Sequence, residues 1–235
     1  MAIIRLNTEE VFGTDSSEYE ILYNAAAEVK NEVPGAVIEI GSRRGGSAKI
    51  IIDAMASKNN TNRSMFCVDP YGNIEIKCTN LSTTIHNPDR PIEGDPQSKE
   101  IVSLQRFDYD FSMRNRVIPS LYYYAYQAGF NFSFFCLEDI EFFNRFADGV
   151  PVYDNFKKLE NEYAFVFFDG PHDKESVLNE VIWFLQRISE GSVFVFDDVA
   201  SYDHDYIDGV LLKNGFERME TGSEGRKISY IKGSV

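Results

Sequence analysis

Asp169, Asp197 and Asp198 stand directly after two apolar runs, Tyr163–Phe168 and Ser192–Phe196. Carboxylates crowded at such strand ends repel one another unless a cation or protons neutralise them. Oxygen-only ligation of this kind suits a hard ion such as Mg²⁺ or Ca²⁺. An ion held by Asp169, Asp197 and Asp198 would bind acceptor oxygens and lower the pKa of a hydroxyl. The alternative use is local: Asp197 and Asp198 cap the segment that follows, and Asp169 meets a cofactor or a helix N-terminus. His172 lies three residues beyond Asp169. Its unperturbed pKa of ~6.5 suits proton removal near neutrality. Asp169 and His172 are therefore the candidate catalytic groups, although a lone histidine is often a bystander. His204 after Asp203 is a further candidate, and His86 falls in a polar stretch.

A second constellation lies upstream. The segment Glu39-Ile40-Gly41-Ser42-Arg43-Arg44-Gly45-Gly46-Ser47 joins a strand-end acid to glycines that let a ligand approach the backbone. It lacks both G-x-G-x-x-G and G-x-x-x-x-G-K-[ST], so neither the dinucleotide fingerprint nor a phosphate-binding loop is present. Asp69, at the tip of the next apolar run, can accept both hydroxyls of a ribose. A turn residue before Pro70 is its plainer role. Arg43 and Arg44 meet an anionic group on an acceptor or lie in a solvated loop.

The elements that must position these residues alternate. Residues 15–33 carry Ile21, Leu22, Ala25, Ala26 and Val29 at helical spacing, and Pro34-Gly35 stops them. A strand over 36–40, a helix over 48–55 and a strand over 65–68 follow. Residues 111–128 read as a helix with Leu121, Tyr122, Tyr124 and Ala125 on one face, 131–137 as a strand and 138–146 as a helix. Strands at 163–168 and 192–196 flank a helix at 173–188, then come a helix at 205–214 and a hairpin turning at Ser223-Glu224-Gly225. Strands alternating with helices imply a doubly wound parallel α/β sheet. The strand ends at Gly41, Asp69, Glu138, Asp169 and Asp197 then share one edge, where open α/β folds bind ligands. No repeat or linker divides the chain, so residues 1–235 read as a single domain. Residues 71–110 form an insertion without periodicity. It either borders the acceptor pocket or is a surface loop or the contact of a homo-oligomer.

Composition narrows the partners. The net charge of −14 over 235 residues repels phosphate backbones and anionic lipid heads, so neither nucleic acid nor membrane is expected. Hydrophobic content of 43% with 14% aromatics is enough for a well-filled core. Cys67, Cys78 and Cys136 have no metal-type spacing; Cys67 and Cys136 sit in apolar runs and read as buried free thiols. No stretch approaches the ~18 apolar residues of a membrane helix, and no basic, apolar leader opens the chain. A cytoplasmic protein is expected.

With these residues assembled, the chain resembles the class I S-adenosylmethionine-dependent methyltransferases. The E-x-G-x-x-x-G-x-S pattern (Glu39 to Ser47), Asp69 and the terminal hairpin carry the likeness. The stretch FVFFDGPHDKESVLNEVIWFLQRISEGSVFVFDDV (165–199) is similar to the branch of small and macrocin-type O-methyltransferases. The likeness covers about residues 33–232 outside the insertion. It implies a mostly parallel seven-stranded Rossmann-like sheet with a C-terminal antiparallel hairpin. By that resemblance Glu39, Gly41, Ser42 and Gly45 hold the methionine end of S-adenosylmethionine, with Ser47 nearby. Asp69 would take the ribose, and Glu138 and Asp139 lie near the adenine. Asp169, Asp197 and Asp198 match a magnesium site. Pro171 departs from the pattern, which often has a second acid directly after Asp-Gly. The activity implied is in-line transfer of a methyl group to an oxygen of a small acceptor, a reaction dominated by positioning. A non-catalytic cofactor-binding or scaffold protein of the same fold is the alternative, and the glycine spacing argues against an NAD-dependent oxidoreductase.

Overall fold

A computed structural model describes residues 12–13, 16–71, 75–78, 100–103, 111–154 and 156–234 of the chain. In chain order the strands are β1 (Ala36–Ile40), β2 (Ser64–Val68), β3 (Glu75–Cys78), β4 (Glu100–Ser103), β5 (Asn131–Phe135) and β6 (Val150–Tyr153). They continue with β7 (Lys157–Glu160), β8 (Tyr163–Phe168), β9 (Val193–Phe196), β10 (Phe216–Thr221) and β11 (Ile228–Lys232). The helices are α1 (Tyr19–Glu28), α2 (Gly46–Ser57), α3 (Phe111–Ala128), α4 (Asp139–Arg145), α5 (Lys174–Leu185) and α6 (His204–Lys213).

Seven strands form one sheet in the order β10-β11-β9-β8-β1-β2-β5. Neighbours from β5 to β9 pair in parallel, whereas β11 is antiparallel to both β9 and β10. Every residue of β1, β2, β8 and β9 is buried, as expected of strands covered on both faces. Alternate side chains serve two cores. Val37, Met65 and Phe167 pack with Leu22 of α1, Ile51 of α2 and Leu121 of α3 on one face. On the other, Ile38, Phe66 and Phe194 pack with Phe142 of α4, Phe184 of α5 and Leu211 of α6. This is the Rossmann-like methyltransferase fold expected from the sequence, C-terminal hairpin included.

Two local readings need correcting, and one hairpin joins them. Cys136 is exposed, because it lies one residue past β5, the edge strand of the sheet; Cys67, inside β2, is buried. The first helix starts only at Tyr19, since Glu18 adopts a left-handed conformation (φ 56) and turns its carboxylate away from the helix. The β6–β7 hairpin is new: the alternation of Lys157–Glu160 is too polar to read as a strand. Within the 71–110 insertion, β3 and β4 pair antiparallel; His86 lies outside the described residues. No helix among the described residues is long and apolar enough to cross a membrane.

Candidate active site

The turn from β1 into α2 brings the glycine loop to the carboxyl edge of the sheet. Gly41 has φ +86, and a Cβ there would sit 2.1 Å from the Asp169 carbonyl oxygen, so β1 and β8 can close on each other only around glycine. Gly45, also left-handed (φ +73), opens α2 against the Leu121 side chain. Asp69 ties the loop down: one carboxylate oxygen accepts from the Ser42 and Arg43 amides (3.0 and 2.8 Å), the other from the Tyr71 amide (2.9 Å). The Tyr71 hydroxyl donates to the Arg43 carbonyl at 2.5 Å, closing the loop from above. Glu39 is wholly buried beneath it. One of its oxygens accepts from the Ser42 hydroxyl (2.5 Å) and the Cys67 thiol (3.3 Å), and the other, Oε1, has no partner. Burial pushes the Glu39 carboxyl up to about 7; the Ser42 and Ser47 hydroxyls and the Cys67 thiol temper the rise, and the charge of Asp69 adds to it.

At β8 and β9 the same edge gathers Asp169, Asp197 and Asp198. Asp197 is buried, and its two oxygens accept from the Ser16 hydroxyl (2.7 Å), the Lys227 ammonium (2.8 Å), the Asp198 amide (2.7 Å) and Arg226 Nε (3.2 Å). Asp198 takes a second arm of Arg226 at 2.7 Å and faces His172 Nδ1 at 3.5 Å. It does so from a left-handed backbone (φ 49), a conformation that strains most side chains and is better tolerated by Asp. Desolvation, with the charges of Asp197 and Asp198, drives the Asp169 carboxyl well above the usual carboxylate range, against the pull of Lys227. Among the described residues no group of three or more His, Cys, Asp and Glu is arranged to hold a metal ion. As it stands, then, the cluster does not fit Mg²⁺: its central carboxylate is already fully bonded.

Comparison with known proteins gives the family and the fold. The model of a methyltransferase-domain family matches residues 38–199, well over half of the chain. The chain belongs to that methyltransferase family. No curated protein sequence matches it. Among solved structures, the calicheamicin methyltransferase CalS11 is similar at 14% identity and a TM-score of 0.56, covering 92% of this chain and 77% of its own. The O-methyltransferase NovP is similar at 16% and 0.53, covering 92% and 79%. TomG from Streptomyces achromogenes, an O-methyltransferase of tomaymycin synthesis solved with S-adenosylmethionine, is similar at 12% and 0.53, covering 95% and 82%. At these identities the likeness establishes a shared fold.

On this methyltransferase frame the remaining expected residues fall into place unevenly. Glu138 is exposed and used locally, as the N-cap of α4 in a capping box with Glu141. Asp139 is the more enclosed of the two; desolvation raises its carboxyl, with Glu138 and Asp173 adding to the rise. His204 is a core residue: its Nε2 lies 2.8 Å from the Tyr230 hydroxyl, and burial pulls its pKa down to about 4. Tyr124 bonds Asp53 between α3 and α2, while Phe142 and Phe143 belong to the core.

Several site residues escape the sequence. Ser16, Tyr19, Tyr71, Arg226 and Lys227 all meet the candidate carboxylates or their loop. The Tyr19 ring lies 4.6 Å from the Lys227 ammonium, and burial, then the charges of Asp169, Asp197 and Glu39, raises its phenol. Arg226 and Lys227 read as an ordinary hairpin pair, and their partners lie about thirty residues upstream or at the far end of the chain. The one local signal is the basic pair itself, placed just before the last strand of a strongly acidic chain.

Proposed function

We propose that this protein is an S-adenosylmethionine-dependent O-methyltransferase acting on a small hydroxylated acceptor. The observation that carries the reading is Glu39 Oε1, a wholly buried carboxylate oxygen without a partner beneath a glycine loop. Leaving such a group unsatisfied costs about 1–3 kcal/mol, and a cationic ligand group relieves it. The amino group of S-adenosylmethionine fits that need, with Gly41, Ser42, Gly45 and Ser47 around it. Asp69, which holds the loop through three amides at the end of the neighbouring strand, takes the ribose. Asp139 is the better placed of the two acids expected near adenine, since Glu138 is spent on its helix.

When bound, the cofactor supplies an electrophilic methyl group; the rest falls to the chain. His172, held against Asp198, takes the proton from the acceptor hydroxyl, and the Asp198 carboxylate fixes which ring nitrogen faces the acceptor. Asp169, next to both halves of the site, hydrogen-bonds the acceptor. The insertion after Tyr71 borders the acceptor pocket, and the protein works in the cytoplasm. Pro171, in place of a second acid, favours one other reading: a cofactor-binding protein without turnover.

Calorimetric titration of the full chain with S-adenosylhomocysteine, with NAD as control, tests the cofactor site. Binding of the first alone supports the reading; binding of neither removes it. In a screen of hydroxylated acceptors, His172→Ala is expected to lose at least ~10²-fold in turnover with unchanged affinity for S-adenosylhomocysteine. Full turnover in that variant would return the protein to a base-independent mechanism.

A further inference from the structure

Lys227 has no exposed side-chain surface, yet all three of its N–H donors are used. They reach the Ser16 hydroxyl (2.5 Å), the Ser17 carbonyl (2.8 Å) and Asp197 (2.8 Å), and the ammonium lies 4.6 Å from the centre of the Tyr19 ring. The pocket is built by a latch. The Glu18 carboxylate accepts from the backbone amides of Glu224, Arg226 and Lys227 (2.5, 2.9 and 2.9 Å), fixing the hairpin against the segment before α1. That contact carries Lys227 inward and sets Arg226 across Asp197 and Asp198. A divalent ion on these acids would have to displace a buried ammonium from the middle of its bonds and strip four donors from Asp197. Removing the charge partner of a buried ion is among the more costly changes a protein can suffer.

We propose that Lys227 and Arg226 are built-in counter-cations that occupy, in this chain, the role a divalent ion plays on such an acid cluster. The methyltransferase then works without metal: Lys227 and Arg226 hold Asp197 and Asp198 in place, and Asp198 is left to orient His172. Lys227 is on this view a positioning residue. The inference rests on the proposed function only for what the cluster serves; the occupancy of the cluster is a separate question with a separate readout.

Mn²⁺ uptake by the full chain, followed by electron paramagnetic resonance up to about 1 mM free ion, reads the cluster directly. The parent is expected to take up no Mn²⁺ and to melt at the same temperature in Mg²⁺ and in EDTA. Lys227→Ala, where it folds, is expected to gain Mn²⁺ uptake that Asp197→Asn in the same background abolishes. Arg226→Ala, at a half-buried position, serves where Lys227→Ala does not fold and is expected to gain the weaker uptake. Stoichiometric Mn²⁺ binding by the parent, lost in Asp169→Asn or Asp198→Asn, would overturn the inference. So would a folded Lys227→Ala that takes up none. S-adenosylhomocysteine titration on the same samples separates the two readings: absent binding there removes the cofactor site and leaves the Mn²⁺ result standing.

Discussion

Two acid groups lie on one edge of one sheet, and they are finished differently. At β1 and β2, Glu39 is buried with one carboxylate oxygen unpaired, while the other accepts from the Ser42 hydroxyl and the Cys67 thiol. At β8 and β9, Asp197 is equally buried but receives four donors, two of them cationic. Burial alone therefore does not mark a binding site. What distinguishes the receptive end from the closed one is whether the chain itself supplies the positive charge. A buried carboxyl left short of partners is held near neutrality by its surroundings and waits for a ligand. One with its cation folded in behaves as structure.

The sharpest way to break this comparison is to remove the internal cation without changing volume. Lys227→Met should destabilise the fold by about 3–5 kcal/mol, because Asp197 is left charged and buried. Adding Asp197→Asn should recover much of the loss, so that denaturant melts of the two single variants and the double give a large coupling energy. Additive effects would mean that the ammonium and the carboxylate do not depend on each other. At the other end the same operation should spare the fold. Glu39→Gln keeps shape and removes a charge that nothing in the described chain neutralises, so melting should stay level or improve near pH 8. Affinity for S-adenosylhomocysteine should fall by about 10–100-fold, the worth of one charge-assisted hydrogen bond. A Glu39→Gln variant that melts well below the parent but binds normally would reverse the assignment of the two ends.

The sequence shows one end of this edge far better than the other, for a physical reason. Glu39, Gly41 and Asp69 occupy the ends of two neighbouring parallel strands, and strand ends can be read from apolar runs and the glycine that breaks them. The sheet itself was legible for the same reason, since β1, β8 and β9 are unbroken apolar runs. Asp169, Asp197 and Asp198 were legible as neighbours, but their charge balance was not. It depends on Lys227 reaching Ser16 and on Glu18 catching three amides more than 200 residues away, contacts that no periodicity encodes. Expecting a metal was the natural consequence of seeing three acids without their cations. Cys136 was misjudged in a related way: its apolar surroundings are those of an edge strand, whose outer side meets solvent.

The smallest expected effect is the most diagnostic of the receptive end. In the free protein the Glu39 carboxyl titrates near 7 rather than at its ordinary 4.5, so folding favours its protonated form. That contribution to stability is fully present below the unfolded value and is lost as pH rises through the folded one. A cationic amino group placed on Oε1 reverses the preference and drives the proton off. Affinity for S-adenosylhomocysteine should therefore climb with pH, by at most about tenfold per unit, from about pH 5.5 to neutrality and level off above it. Calorimetry in two buffers of different ionisation enthalpy should find close to one proton released at the acid end of that range. Glu39→Gln should flatten the profile and abolish the release, which separates Glu39 from His172 as the titrating group. A flat profile in the parent would mean that the unpaired oxygen does not meet the ligand's charge, and the contrast between the two ends of the sheet edge would have to be explained by something other than a bound cation.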